Sequence, residues 1–255
     1  MSLTFGSLFA GIGGLDLGLE RAGMKCEWQV EIDPYALNVL HKHWPDVPKW
    51  RDVRTWPPKG LAPGDFYVDL ICGGFPCQDI SNAGKRAGID GERSGLWREF
   101  ARIVRVVRPR YVLVENVSEI LVRDLGRVLG DLATCGYDAT WQSIQAAHVG
   151  APHRRERVFI VGYSDEFGFP ESRDFDCRTQ AALQEESSRG FWRRSGVGKL
   201  SGAHRHRVRW CPVDSICGVV DGTAKRLDRY RTVGNSVVPQ VAEFIGRLIV
   251  EHATE

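Results

Sequence analysis

Near its start the chain reads LTFGSLFAGIGGL (residues 3–15), and the expected architecture follows from this stretch. Residues 3–9 are typical of a buried β-strand, residues 10–14 of a tight glycine turn, and residues 15–22 of a helix with apolar side chains at helical spacing. A strand, a glycine loop and a helix in this order expose backbone N–H groups and a helix N-terminus to a ligand. Taken alone, the pattern fits an ordinary tight βα turn as well as it fits a ligand-binding loop.

The next predicted strand, residues 26–31, strengthens the ligand interpretation. It ends in the carboxylate of Glu31, about 20 residues after the glycines, where doubly wound folds place an acid on a ribose diol. Asp33 is then expected to be the N-cap of a helix that has Pro34 in its first turn and runs to about His43. These coincident features favour a doubly wound α/β sheet with a ligand at the glycine loop.

The proline-rich connection at residues 44–64 is expected to be irregular, with one short strand near Trp50. Asp52 follows that strand. A solvated loop acid and a ligand-binding acid are both compatible with this position.

A thiol follows the third long strand. Residues 68–72 form an apolar β-run that stops at a glycine pair and delivers Cys77 onto a loop. Pro76 fixes its own φ and biases Phe75 towards an extended conformation, so the backbone sets the direction of the thiol. Cys77 is therefore a candidate nucleophile, although its position alone is as compatible with a buried apolar filler. The polar, glycine-dotted residues 80–93 have the composition of a loop that closes over an anionic substrate, or of a plain surface loop.

The next segment supplies another strand end. A basic amphipathic helix is expected at residues 96–107 and a buried strand at residues 111–114, followed directly by Glu115. In an open α/β sheet, functional groups gather at the carboxyl ends of the strands. Glu31, Cys77 and Glu115 all lie at such ends.

The second half of the chain departs from a simple βαβ repeat. A helix is expected at residues 121–135 and two strands at residues 137–144 and 157–163, joined by a long basic connection. A closing helix with an apolar face is expected from Val241 to about Glu251.

Between about residues 164 and 231 the periodic pattern dissolves. Seven Lys and Arg residues between Arg189 and Arg209 occur without an intervening acid, and Phe191, Trp192 and Trp210 are interleaved with them. This composition suits phosphate contact and base stacking, and it also suits a solvated, disordered arm.

Composition narrows the class of protein. The 255 residues carry a net charge of only +2, so positive charge must be local, and the length suits one large α/β domain. The seven cysteines are scattered without a CxxC pair, which argues against a disulfide framework and a zinc cluster; no metal site is expected. No signal peptide or membrane span is recognisable, so a cytoplasmic protein without a membrane partner is expected.

Six motifs in this chain resemble, in order, those of the C5-cytosine-specific DNA methyltransferases. They are FAGIGG (9–14), EID (31–33), GFPCQ (74–78) with Ser81, ENV (115–117), GAPHRRER (150–157) and GNSVVP (234–239). His153 stands where glutamine is commoner in the family, and the interval from Gly162 to Gly234 is short for its target recognition domain. The resemblance is therefore to a compact, bacterial or phage type of enzyme.

The resemblance implies a fold and a division of the chain. The fold is α/β: a doubly wound, mostly parallel sheet of the S-adenosylmethionine-dependent methyltransferase (Rossmann-like) type, with a small irregular recognition segment. Residues 1–163 would bind the cofactor and carry the catalytic groups, residues 164–228 would form a short basic target-recognition segment, and residues 229–255 would return to the catalytic domain as a helix.

It also implies a reaction, the transfer of a methyl group from S-adenosylmethionine to C5 of a flipped cytosine in double-stranded DNA. Cytosine C5 is a weak nucleophile, but addition of the Cys77 thiolate at C6 makes it electron-rich. The addition places negative charge on the N3 and O2 side of the ring. The resemblance gives Glu115 the role of acid at N3 and Arg157 that of the guanidinium at O2, with Arg155 in support. Glu115 must then be protonated when it acts.

Two further sets of residues are implied. The resemblance places Phe9 against the adenine, Glu31 on the ribose and Asp52 at the adenine edge. The full set of expected cofactor contacts is Phe9, Ala10, Gly11, Gly13, Gly14, Leu15, Glu31, Ile32, Asp52, Gly74, Asn235 and Val237. The expected DNA contacts are Gln78, Ser81, Lys85, Arg86, Arg93, Arg205, Arg207 and Arg209.

Two other functions stay open at this point. One is the same chemistry on RNA, with a transfer RNA as substrate, and the other is a non-catalytic DNA-binding regulator that kept the fold. A monomer in the bacterial cytoplasm or nucleoid, or in a phage-infected host cell, is expected, with a restriction endonuclease as an open further partner.

Overall fold

The computed structural model describes residues 2–60, 62–76, 95–151, 153–167 and 236–254. Most of the predicted recognition segment lies outside these ranges. So do ten of the predicted site residues: Cys77, Gln78, Ser81, Lys85, Arg86, Arg93, Arg205, Arg207, Arg209 and Asn235.

Strands and helices alternate along the first half of the described chain. In order, they are β1 (Thr4–Leu8), α1 (Gly14–Arg21), β2 (Lys25–Val30), α2 (Pro34–His43), β3 (Lys49–Trp50), β4 (Leu70–Gly73), α3 (Leu96–Val107), β5 (Tyr111–Asn116), α4 (Ile120–Arg123), α5 (Leu125–Thr134), β6 (Tyr137–Gln145), β7 (Glu156–Ser164) and α6 (Pro239–Thr254). Single 3₁₀ turns lie at Val53–Thr55, Pro63–Asp65, Ala146–Val149 and Asp165–Phe167.

The strands form one seven-stranded sheet in the order β3-β2-β1-β4-β5-β7-β6. The first five strands in this order are parallel, β7 runs antiparallel to β5, and β6 runs antiparallel to β7. This confirms the predicted doubly wound, mostly parallel α/β sheet. The two strands that did not fit a βαβ repeat form an antiparallel hairpin, which needs no crossover helix.

Both faces of the sheet are buried, as a parallel sheet requires. All six residues of β5 are buried. On one face, α1 and α6 pack against each other and against a core that includes Phe5, Leu19 and Phe244. On the other face, α3 and α5 cover a core that includes Trp97 and Phe100.

The structure corrects three predicted helix boundaries. The single helix expected at residues 121–135 is divided into α4 and α5, because Asp124 has the non-helical φ of −130°. Helix α1 begins one residue earlier than predicted, at Gly14, and α6 runs from Pro239 to Thr254 rather than from 241 to 251. Proline suits the first turn of a helix because its missing N–H would have no partner there.

The predicted cap of α2 is confirmed. Asp33 Oδ1 accepts hydrogen bonds from the backbone N–H groups of Tyr35 at 2.8 Å and Ala36 at 3.0 Å. None of the helices in the described ranges is long and apolar enough to cross a membrane. The described residues also contain no group of three or more His, Cys, Asp or Glu side chains that could hold a metal ion.

Candidate active site

A cavity of about 740 Å³ opens at the carboxyl ends of the parallel strands. Its volume lies within the range of pockets that take small molecules and cofactors. It brings together twelve of the predicted site residues, namely Phe9, Ala10, Gly11, Gly14, Leu15, Glu31, Ile32, Asp52, Gly74, Glu115, Arg157 and Val237.

The glycine loop turns sharply between β1 and α1. Phe9, Gly11 and Gly13 all have positive φ, at 53°, 57° and 84°. A Cβ on Gly11 would meet nothing within 4 Å, so this part of the loop faces open space, whereas a Cβ on Gly13 would lie 2.4 Å from the Trp44 ring. Gly13, expected among the cofactor contacts, therefore lies behind the loop against Trp44, and is not among the residues that line the cavity.

Glu31 ties the loop to the end of β2. Its Oε2 accepts a hydrogen bond from the Gly11 N–H at 2.7 Å, and its Oε1 accepts one from the Asp33 N–H at 2.8 Å. Burial raises the pKa of Glu31, and the two backbone hydrogen bonds oppose that rise. Each carboxylate oxygen keeps a further lone pair with which it can accept a hydroxyl proton. Ile32, the next residue, lines the cavity and is 57% exposed.

Asp52 lines the cavity, and its carboxylate accepts hydrogen bonds from Arg54. Arg54 donates to it from its backbone N–H at 3.0 Å and from guanidinium Nη2 at 2.9 Å, and these hydrogen bonds lower the pKa of Asp52. Arg102 of α3 donates to the carbonyl oxygens of Val53 at 3.0 Å and Trp56 at 2.7 Å, and so fixes this turn to the body of the domain.

An ion pair between a buried glutamate and a half-buried arginine lies at the end of β5. Glu115 is the fifth residue of that strand, and its Oε1 lies 3.1 Å from Nε of Arg157, the second residue of the antiparallel strand β7. Burial raises the pKa of Glu115, and the positive charges of Arg157 and Arg155 oppose the rise. The structure therefore brings these three predicted catalytic residues together, although Arg155 does not line the cavity.

The segment that leads to Cys77 packs against this pair. A Cβ on Gly74 would lie 2.5 Å from Glu115 Oε2, so only glycine leaves room for the carboxylate. Asn116 donates from Nδ2 to the Phe75 carbonyl oxygen at 3.4 Å, and its Oδ1 accepts from the Val117 N–H at 2.8 Å. The end of β5 thus holds the backbone immediately before Cys77.

Replacing Gly74 by alanine should displace the Glu115 carboxylate, because a methyl group and Oε2 cannot occupy the same space. We expect the reaction that the motif resemblance implies, methyl transfer, to slow by about tenfold to a hundredfold, since a misplacement of about 1 Å at a reacting group costs about that much. Single-turnover kinetics measures the fall. The matched control is Gly126→Ala in α5, where a Cβ would meet nothing within 4 Å, and it should keep the wild-type rate. Equal rates in the two variants would contradict the placement.

Several residues that line the cavity were not predicted. They are Val30, Asp33, Pro34, Ala36, Arg51, Val53, Arg54, Phe75, Pro76, Leu96, Asn116, Val117 and Ser236. Most are sequence neighbours of predicted residues at the same strand ends. A prediction that included every residue of each strand-end loop would therefore have found them. Leu96 could not be found in that way, because it reaches the cavity from the start of α3.

The sequence of this chain is similar to those of known proteins. The sequence model of the C-5 cytosine-specific DNA methylase family matches residues 3–190. Type II methyltransferase M2.BsuMI of Bacillus subtilis (strain 168) is 30% identical over 94% of this chain and 73% of its own length. Type II methyltransferase M.NgoFVII of Neisseria gonorrhoeae is 36% identical over 64% of this chain, which spans only 44% of that relative.

Among solved structures, a candidate DNA modification methyltransferase encoded within an Escherichia coli prophage superposes with a TM-score of 0.71. The alignment covers 100% of both chains at 22% sequence identity, which establishes a shared fold. The family match and the relatives named as Type II methyltransferases support DNA cytosine-5 methylation. Because the match spans most of the sequence and the motifs lie around one cavity, the chain belongs to the C-5 cytosine-specific DNA methylase family.

Proposed function

We propose that the protein transfers a methyl group from S-adenosylmethionine to C5 of cytosine in double-stranded DNA, through a covalent bond from Cys77 to C6. The observation that carries the proposal is the ion pair of buried Glu115 and half-buried Arg157 next to the backbone that leads to Cys77. Both groups lie on the rim of a cavity large enough for a nucleoside-sized cofactor. A base must leave the duplex to reach such a site.

At the base, the Cys77 thiolate would add to C6, and the electron pair of the C5–C6 bond would become available at C5. Negative charge then develops towards N3 and O2. Protonated Glu115 would hold its proton at N3, and the Arg157 guanidinium would donate to O2. After methylation, the C5 proton would pass to a water molecule, and the electron pair of the C5–H bond would re-form the C5–C6 double bond as the thiolate leaves C6. Burial favours the protonated form of Glu115 that this sequence of steps requires.

The residues around the glycine loop fit S-adenosylmethionine. When bound, this cofactor supplies a methyl group activated on a sulfonium. The free lone pairs of Glu31 would accept from ribose hydroxyls, and the open face at Gly11 admits a ligand close to the backbone. Phe9 and Ile32 would flank the adenine, Asp52 would lie at its edge, and Asn235 with Val237 would complete the site.

Glu31→Ala should weaken S-adenosylmethionine binding by about 1–3 kcal/mol, because it removes an acceptor for the ribose and frees the Gly11 N–H. Isothermal calorimetry measures the loss. Glu27→Ala is the matched control, since Glu27 lies on the same strand but pairs with the exposed Lys25. If Glu31→Ala bound the cofactor with unchanged affinity and bound only DNA more weakly, the assignment of Glu31 as a cofactor contact would be wrong.

We also propose that residues 164–228 form the recognition segment and that Arg205, Arg207 and Arg209 contact DNA. Replacing the three by alanine should lower DNA affinity and reduce the slope of log affinity against log salt by about 0.9 for each phosphate that is no longer neutralised. Cofactor affinity should not change. A variant in which Arg21, Lys25 and Arg105 are replaced by alanine removes the same three positive charges at the end of the sheet opposite the cavity, and so controls for net charge. If the triple variant matches wild type in rate and salt slope, recognition must lie elsewhere.

Bisulfite sequencing of DNA from cells that express the protein tests the function itself. We expect cytosines in one recurrent sequence context to be protected, and we expect no protection with the Cys77→Ala variant. Unprotected DNA together with a methylated transfer RNA would move the same chemistry to RNA, and no modified nucleic acid would favour a non-catalytic regulator. We further propose that the protein acts as a monomer in the cytoplasm, where its DNA substrate lies.

A further inference from the structure

A buried carboxylate lies beneath the glycine loop. Asp16 belongs to the first turn of α1 and has no exposed surface. Its Oδ2 accepts a hydrogen bond from Ser7 Oγ at 3.0 Å, and its Oδ1 accepts one from Gln29 Nε2 at 2.7 Å and a long one from Cys26 Sγ at 3.9 Å. Ser7 lies in β1 and Gln29 in β2, and both are fully buried as well. One carboxylate thus connects the three elements that carry the loop and the following strand end.

The three residues joined by these hydrogen bonds lie close in sequence to residues that line the cavity. Ser7 is two positions before Phe9, Asp16 is two positions after Gly14, and Gln29 is two positions before Glu31. The hydrogen bond from the Gly11 N–H to Glu31 at 2.7 Å requires the loop and the end of β2 to stay in register. The hydrogen bonds of Asp16 to Ser7 and Gln29 join the two strands that lead to these residues.

Stability alone does not account for this arrangement. Burial raises the pKa of Asp16 to about 6, which means that the charged form is disfavoured in the core. The amide oxygen of Gln29 is buried without a hydrogen-bond partner. Buried charges and unpaired buried acceptors both oppose folding, and apolar side chains of similar volume are often more stable in such places.

We propose that Asp16 is a positioning residue for cofactor binding, which holds the glycine loop and Glu31 in the arrangement that receives S-adenosylmethionine through its hydrogen bonds to Ser7 and Gln29. The inference rests on the proposed function, because it takes S-adenosylmethionine as the ligand of the cavity. It assigns Asp16 no contact with the cofactor or the base. Its effect is transmitted through the main chain of the loop and of β2.

Calorimetric titration of the full chain with S-adenosylmethionine tests the proposal. Asp16→Leu removes the hydrogen bonds from Ser7 and Gln29, together with the long one from Cys26, at similar volume. We expect it to weaken cofactor affinity by about fivefold to tenfold, the usual net effect of losing one or two hydrogen bonds. Asp16→Asn should stay within about twofold of wild type, because the Gln29 amide can rotate so that its unpaired oxygen accepts from the new amide. KM for the cofactor should rise in Asp16→Leu, while kcat at saturating cofactor should be retained.

A matched control exists at the other end of β1. Asp69 Oδ2 accepts from the Thr4 N–H at 2.8 Å and from Thr4 Oγ1 at 2.9 Å, far along the strand from the loop. Asp69→Leu should leave cofactor affinity unchanged even if urea unfolding shows that the variant is less stable. If Asp16→Leu does not fold, Gln29→Met takes its place. It removes the short hydrogen bond from β2 and keeps the one from Ser7, and it should also weaken cofactor affinity.

The outcomes separate the two proposals. A wild-type chain that does not bind S-adenosylmethionine overturns the cofactor assignment and the role of Asp16 together. A wild-type chain that binds it, with Asp16→Leu or its replacement Gln29→Met within twofold, overturns the role of Asp16 alone. Equal losses in Asp16→Leu and Asp16→Asn also overturn it, because the carboxylate would then act by its charge and not through its hydrogen bonds.

Discussion

Replacing Cys77 by alanine should reduce methyl transfer to duplex DNA by several orders of magnitude, because no other group would form the covalent bond that activates C5. S-adenosylmethionine affinity should be unchanged, since the residues around the glycine loop lie at other strand ends. Transfer of a radiolabelled methyl group to duplex DNA measures the first effect, and calorimetry measures the second.

Cys72 is the matched control for this variant. It lies in β4, five residues before Cys77, and is completely buried. Burial raises the pKa of the Cys72 thiol well above its usual range, so this thiol stays protonated and unreactive. Cys72→Ala should therefore keep the wild-type kcat and lose only stability. Near-normal transfer by Cys77→Ala, or loss of transfer in Cys72→Ala at full folding, would contradict the assignment of the nucleophile.

Glu115→Gln has the second largest expected effect. The amide keeps the shape of the side chain and can still accept from Arg157, but it has no acidic proton for N3 of the base. We expect transfer to fall by about 10²- to 10⁴-fold, the usual contribution of a positioned acid or base. The control is Glu243→Gln, which changes another buried glutamate paired with an arginine, Arg247, on α6. That variant should retain the wild-type rate.

The pH dependence follows from the direction of the Glu115 pKa. Because burial raises this pKa, the carboxyl keeps its proton to higher pH than an ordinary glutamate does. The single-turnover rate of the wild type should therefore fall as pH rises through that raised pKa, and this decline should be absent in Glu115→Gln. The same decline in both proteins would assign the titration to another group.

Much of this site could be predicted because its signals are local in sequence. Glycines, a strand-ending carboxylate and the Asp33 cap each mark their own backbone conformation. Glu31 follows the last residue of β2 and Glu115 is the last residue but one of β5, so both lie close to the strand ends that the pattern indicated. The break at Asp124 could not be predicted from the apolar spacing. The side chains of α4 and α5 continue one periodic pattern across a residue whose backbone leaves the helical region.

Contacts between residues that are apart in sequence and lie on different elements account for the features that the sequence did not indicate. An aspartate in the first turn of a helix usually lies at the surface, where it complements the helix dipole. Asp16 is buried instead, because Ser7 and Gln29 reach it from two different strands. The need for glycine at position 74 likewise depends on where Glu115 lies in the neighbouring strand.

The most direct measurement is a trapping experiment with a DNA duplex that carries 5-fluorocytosine, incubated with the protein and S-adenosylmethionine. Fluorine at C5 cannot leave as a proton does, so the bond from the cysteine to C6 cannot be released after methylation. We predict a covalent complex that survives denaturation, with the DNA attached through Cys77 in the peptide identified by mass spectrometry. A protein that binds both the duplex and S-adenosylmethionine but forms no complex, or one attached through another residue, would contradict the proposed mechanism.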